Sequence, residues 1–311
     1  MKTIAFILPK ISYLPELKAY TDYFTKKGFN TIHVHEKDLN KFDYDIEWHF
    51  MGIDIIKSKK NVIKIHDYAS LSTPPFAKAK DLIKKTFSKK PDIRIFLNES
   101  VKEIMNFKDN IPYCFRDVGV NKAFLATYEI PKEYDFCYLG TMHKRRKIKN
   151  FLTHFKDKFK ASTILLIGDP PADLSNKFKN YPNIVFTGKV DYLKIPGLLH
   201  KCMYGINYIP NEYPFNVLTA VKLIEYCACG LKIISTDYKW VRNFEKRENA
   251  AFFYTNENFG NFTIDDIANY RYTTPTMENR DWDTMIENSK ILDLINSLKP
   301  ELSATSRQLK V

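Results

Sequence analysis

TAVKLIEYCACGLKIIS, residues 219–235, reads as a helix with a closed end followed at once by a buried strand. Thr219 is the kind of residue that caps a helix N-terminus, and Gly230 stands where a left-handed glycine ends one. The LysIleIleSer run that follows is β-branched and short, as a parallel strand is. Between the caps, Lys222 and Glu225 are three positions apart and share one side of the helix, while Val221, Leu223, Ile224 and Ala228 supply apolar packing. A cation near the positive end of a helix is locally unfavourable, and an anion held by the Ala220 and Val221 amides relieves it. The plainer alternative is a surface Lys–Glu pair on an ordinary α/β helix.

Outward from this stretch, strands and helices alternate in two series. The first has strands at 3–8, 31–35, 45–49, 62–66 and 93–97, with a helix at 14–27 and a basic helix across 76–90. The second has strands at 135–140, 163–168, 183–188, 204–209 and 232–236. Short apolar runs separated by helical segments predict parallel sheets. A turn at 130–133 separates the series, so the expected organisation is a domain over 1–130, a second over 131–275, and a segment 276–311 holding a helix at 286–295 and a polar tail from Pro300. Three strands of the second series end in glycine, at Gly140, Gly168 and Gly188. In open α/β sheets ligands lie at the carboxyl ends of strands, and glycine there lets backbone approach them, although glycine also starts turns.

With 311 residues the chain is long enough for two cores. No apolar run approaches the roughly 20 residues that span a bilayer, and the start lacks a signal peptide's apolar core, so a cytoplasmic location is expected. The five cysteines, Cys114, Cys137, Cys202, Cys227 and Cys229, have no zinc-like spacing and read as reduced core thiols. The net charge of +12 invites a nucleic-acid reading, but the basic stretches lack interleaved stacking aromatics, and no nucleic-acid partner is expected. FAKAKDLIKKTFSKK, residues 76–90, places Phe76, Ala79, Ile83 and Phe87 at helical spacing opposite Lys78, Lys84, Lys85 and Lys89. It is either a solvated helix face or a surface for anionic lipid headgroups, which would put the protein peripherally on the inner face of the membrane.

The 219–235 stretch resembles the signature "KlxEYlAxGkPVIst" of GT-B glycosyltransferases of the family 4 (glycosyl transferases group 1) type and related bacterial surface-polysaccharide enzymes. Lys222, Glu225, Tyr226, Ala228, Gly230 and Ser235 match it. The resemblance implies an α/β chain with two Rossmann-like parallel-sheet domains facing a central cleft, and a nucleotide-sugar donor held by the C-terminal domain. Glu225 would then hold the ribose hydroxyls, and Lys222 with Thr219, Ala220 and Val221 at the helix N-terminus would hold the diphosphate. After Gly140, the basic sequence TMHKRRK at 141–147 is similar to the family's "YxGxxxxxR", and the resemblance makes Arg146, then Arg145, the arginine facing phosphate. Gly188, Lys189 and Val190 are similar to the segment beside the nucleotide base. Two departures stand out. The first of the family's paired glutamates falls on Val217, and the Gly-rich first loop is replaced by Leu8-Pro9-Lys10.

In the first domain His66 and Asp67 end a strand, where a histidine can orient a reacting sugar and a carboxylate can take an acceptor proton. His49 is the competitor, and Tyr68, Ser70 and Arg116 are further acceptor-side candidates; Arg116 precedes a turn that looks like the family's "pNGvDxxxF". A lone histidine is more often structural. The resemblance as a whole implies a hexosyl- or uronosyltransferase moving a sugar from a UDP-type donor to a glycan or lipid-linked glycan of the bacterial surface (capsule, lipopolysaccharide or exopolysaccharide). No cofactor and no metal are expected, the diphosphate being met by cations and helix amides. Retention follows from the family type, whereas Val217 and Asp67 suit inversion. A nucleotide-sugar epimerase of the same fold and a non-catalytic nucleotide-sugar-binding subunit are the alternatives.

Overall fold

Among the described residues, the β-branched and aromatic runs form two sheets of six parallel strands each. The computed structural model describes residues 1–8, 14–50, 52–127, 129–142, 147–257 and 262–298. Contacts divide the chain into one unit of residues 1–119 with 279–311 and another of residues 120–278.

The first unit contains β1 (Thr3–Leu8), α1 (Pro15–Lys26), β2 (Asn30–His35), β3 (Ile46–Phe50), β4 (Ile63–Tyr68), α2 (Ala77–Phe87), β5 (Ile93–Phe96), α3 (Glu99–Met105) and β6 (Tyr113–Phe115). Its strand order is β2-β1-β3-β4-β5-β6. Successive side chains of a strand point to opposite faces. Ile4, Phe6, Ile46, Trp48, Ile63, Ile65, Ile93 and Ile95 therefore share one face, where they bury against Tyr20, Tyr23 and Phe24 of α1. The other face carries Glu47 and His49 of β3, Lys64, His66 and Tyr68 of β4, and Arg94 and Phe96 of β5, all buried. A three-residue edge strand such as β6 has too few positions to show a period, and the sequence pattern does not reveal it.

The second unit contains β7 (Tyr134–Leu139), α4 (Ile148–Lys158), β8 (Ile164–Ile167), α5 (Ala172–Phe178), β9 (Ile184–Phe186), α6 (Ile195–Leu199), β10 (Cys202–Asn207), α7 (Val221–Ala228), β11 (Lys232–Thr236), α8 (Lys239–Arg247), β12 (Phe253–Thr255) and α9 (Ile264–Asn269). The order β12-β11-β10-β7-β8-β9 is the 3-2-1-4-5-6 arrangement of a dinucleotide-binding sheet, read from its other edge. Its topological switch point lies between β7 and β10, and ligands of such sheets sit at the carboxyl ends of those two strands. Phe136, Tyr138, Leu166 and Ile206 bury one face against Ile148, Phe151 and Phe155 of α4.

The chain then returns to the first unit as α10 (Trp282–Asn288) and α11 (Ile291–Ser297), whose Ile286, Ile291 and Ile295 enter the first core. The sequence reads 286–295 as one helix, but it breaks where Lys290 adopts a left-handed backbone at φ +58°. Gly119 is required beneath this helix pair, because a Cβ there would lie 2.9 Å from the Trp282 backbone.

Candidate functional site

α7 starts at the end of the switch point, and its local chemistry explains why. Its N-cap is Ala220, not Thr219 as the sequence suggests, and no side chain caps it. The first-turn amides of such a helix present partial positive charge at its mouth. At the other end Gly230 takes φ +70°, the Leu231 N–H donates to the Tyr226 carbonyl at 3.0 Å, and the Gly230 N–H donates to Cys227 at 2.9 Å. This is the Schellman closure expected of a C′ glycine.

The helix lies unusually close to the sheet. A Cβ on Gly205 of β10 would stand 2.7 Å from the Tyr226 ring, so only glycine admits the tyrosine. The Tyr226 hydroxyl accepts the Leu139 N–H at 2.6 Å and faces the Ile206 carbonyl at 3.5 Å. It thereby fills the gap where β7 and β10 part, satisfying backbone that the diverging strands cannot pair. Sequence reasoning missed this role, since Tyr226 appears there only as a match to the family signature, with no partner assigned to its hydroxyl.

On this platform stand the two residues singled out by spacing. The Lys222 ammonium sits 3.8 Å from the centroid of the Tyr138 ring, a cation–π contact that fixes it at the end of β7. A Cβ on Gly140 would reach the same ammonium at 3.8 Å, so the β7 turn and Lys222 are immediate neighbours. Glu225 is 4 % exposed, and its Oε1 accepts the Tyr192 hydroxyl at 2.8 Å. Burial pushes its carboxyl up to about 7, against the Tyr192 hydrogen bond and the Lys222 charge, which both favour the ionised form. Tyr192 stacks obliquely on buried Phe124, with ring centroids 5.1 Å apart, and no sequence pattern marked it.

The strand-end glycines meet at the same edge. Gly140, Gly168 and Gly188 have φ of +117°, +140° and +68°, values that L side chains rarely adopt. Gly168 bridges Gly188, and a Cβ on it would lie 2.7 Å from the Gly140 carbonyl oxygen. The segment Gly188, Lys189, Val190 leads directly into the turn carrying Tyr192, with Lys189 exposed. Buried Thr219 and Ala220 and exposed Val221 complete the helix mouth. Thus the structure brings together Gly140, Gly188, Lys222 and Glu225. Arg145 and Arg146 lie outside the described residues, as do Pro9, Lys10 and the tail from Pro300. The next cation, Lys147, is bound to Glu212 at 2.6 Å and Glu257 at 3.3 Å.

The first-domain candidates are placed differently. His66 and Asp67 are neighbours on a strand and so point to opposite faces of their sheet. His66 Nε2 bonds Asp54 at 2.9 Å, in a buried network where Lys64 Nζ reaches Asp54 at 2.6 Å and Glu47 at 3.0 Å. Burial pushes the His66 imidazole down to about 4, so it is neutral near pH 7. His49 joins this network through Glu47 at 3.4 Å. Asp67, on the core face, accepts Tyr20 at 3.0 Å, Trp48 at 3.4 Å and Arg116 at 3.3 Å. Arg116 also donates to the Tyr20 hydroxyl at 2.7 Å. The two residues therefore do not form one reacting pair, and each carboxylate or imidazole is enclosed by protein partners. Tyr68 is buried and packs on Phe96, while exposed Ser70 donates to the Leu71 carbonyl.

Two Asp-x-Asp triplets occur, and both have architectural duties. Asp45 accepts the Thr3 N–H at 2.7 Å, and Asp281 caps α10. Among the described residues, no group of three His, Cys, Asp or Glu side chains is arranged to hold a metal.

Comparison with known proteins accords with this geometry. Residues 133–263 match the family model described as Glycosyl transferases group 1. A search of curated proteins finds no match. Among solved structures, HepE from Anabaena, determined with UDP and glucose, is similar with a TM-score of 0.68 at 10% identity, covering 96% of this chain and 100% of that one. AviGT4, a glycosyltransferase involved in avilamycin A biosynthesis, gives 0.63 at 11% identity over 96% and 99%. The UDP-GlcNAc 2-epimerase of Methanocaldococcus jannaschii gives 0.54 at 12% identity over 92% and 99%. The chain has the GT-B fold, and its second unit carries the group 1 glycosyl transferase sequence pattern.

Proposed function

We propose that this GT-B chain is a glycosyltransferase that holds a UDP-sugar at the carboxyl edge of its second sheet and passes the sugar to a glycan or lipid-linked glycan of the bacterial cell surface. The observation that carries the reading is Glu225: an almost fully buried carboxylate, positioned by Tyr192 one helical turn from Lys222, at the switch point of a dinucleotide-type sheet. A buried carboxylate without a ligand is costly, and two ribose hydroxyls are donors that would satisfy it. When the bond between the sugar and the diphosphate breaks, the electron pair stays on the phosphate oxygen. Lys222 and the mouth of α7 are preset positive charge for that oxygen, which favours the transition state without a divalent ion. A UDP donor is supported by HepE, whose structure holds UDP.

The test is to incubate the protein with UDP-hexoses and UDP-uronic acids, with and without lipid-linked glycan extract, and to measure UDP release. Release that depends on the acceptor is expected. Interconversion of the donor sugar without acceptor would instead make the protein an epimerase, and binding of UDP with no turnover of any donor would make it a binding subunit.

A further inference from the structure

Helix α2 presents its apolar side to solvent. Its inward side is Ala77, Asp81 and the half-buried Lys84, and polar bonds hold it in place: Asp81 accepts the Ser72 N–H at 2.9 Å, and Lys85 donates to the Asn106 carbonyl at 2.6 Å. Outward point Leu82, 62 % exposed, Phe87, 66 % exposed, and Ile83. Phe76, at the helix start, is 80 % exposed and sits in the left-handed region at φ +59°. A bulky residue in that region is strained by roughly 1–3 kcal/mol, and here no burial of the ring offsets it. The apolar surface continues beyond the helix. Asp54 receives the Lys89 N–H at 2.7 Å and donates its own N–H to Ser88 at 3.2 Å, which brings Ile53 and Ile55, both exposed, to the C-terminal end of α2.

Charge distinguishes what such a surface fits. Residues 76–90 hold six lysines and one acid, and that acid, Asp81, is turned inward. Lys78 lies along one border of the apolar stripe and Lys80 along the other, as the helical spacing places them, and exposed Lys89 follows the helix end beside Ile53 and Ile55. Two copies of this face would repel each other. A layer of anionic headgroups over hydrocarbon matches both features, since apolar side chains enter the acyl boundary while lysines reach the phosphates.

We propose that α2, with Ile53 and Ile55, is a membrane-docking face for anionic phospholipid. The inference concerns the first unit alone and does not depend on the donor reading. It is tested by flotation of the full chain with vesicles of phosphatidylglycerol and phosphatidylcholine, and with phosphatidylcholine alone. The protein should float with the anionic vesicles only. Replacing Lys78, Lys89 and Lys90 by Gln should weaken binding about a hundredfold, at roughly fivefold per lysine, and I83S/F87S should abolish it with the fold retained by circular dichroism. Absence of binding, equal binding to neutral vesicles, or unchanged binding in both variants would overturn the proposal. So would a dimer in solution that I83S/F87S dissociates, which would assign the face to a second copy.

Discussion

Donor binding should release a proton, and Glu225 fixes how much. Its carboxyl lies near 7 in the ligand-free protein, because burial disfavours the charge more than Tyr192 and Lys222 favour it. Two ribose hydroxyls can both donate only to the ionised form. If that form alone binds, the competent fraction is about 0.09 at pH 6 and about 0.9 at pH 8, so affinity should rise about tenfold between them and level off above. A UDP-sugar is the suitable probe, because its diphosphate is a diester with no proton to lose in this range. Calorimetry at pH 7 in two buffers of different ionisation enthalpy should detect about half a proton released per ligand bound. Glu225→Gln should bind more weakly and without the slope. The ligand-free protein should behave in the opposite sense. A group whose folded pKa is raised holds its proton more tightly in the folded state, so its contribution to stability falls as pH rises from about 4.5 to about 7, and Glu225→Gln should remove that fall. A flat wild-type affinity profile with no proton release, or a slope that survives in Glu225→Gln, would refute the reasoning.

Tyr192→Phe removes a bond that favours the carboxylate, so UDP-sugar affinity should drop at pH 7 and approach the wild-type value by pH 9; a loss equal at both pH values would make Tyr192 merely structural. Gly205→Ala places a methyl into the Tyr226 ring, and overpacking of this kind costs about 1–3 kcal/mol, so a lower Tm together with weaker donor binding is expected, and an unchanged Tm would contradict the close approach of α7. Asp67→Asn leaves Arg116 buried without its counter-charge at a cost of about 3 kcal/mol, which should lower the melting temperature of the first unit by roughly 6–12 °C; a full loss of turnover with unchanged melting would return Asp67 to the chemistry.

The sequence makes the donor platform legible because its devices are local. A C′ glycine, a β-branched strand and a Lys–Glu pair at helical spacing each follow from neighbouring residues, and the structure assembles them at one sheet edge. What it hides is non-local. Tyr192 reaches Glu225 across 33 positions, and Gly205 makes room for Tyr226 across 21, separations at which no periodicity operates. Strand alternation does place His66 and Asp67 on opposite faces, but only the Asp54 and Arg116 contacts reveal that both are enclosed. The α2 sequence likewise shows an apolar and a basic side without saying which meets protein. Ser72, Thr73 and Asn106 decide that by bonding its polar residues.

The central claim is a diphosphate-and-ribose site at the mouth of α7, and a paired titration tests it most directly. Calorimetry with UDP and with uridine should be run on the wild-type protein and on Lys222→Ala. UDP should bind the wild type far more tightly than uridine, and the substitution should weaken UDP at least tenfold while leaving uridine within about twofold, since removing a hydrogen bond to a charged group costs about 1.5–3 kcal/mol. No measurable UDP binding to the folded wild type, or equal UDP affinity in Lys222→Ala, would contradict the account.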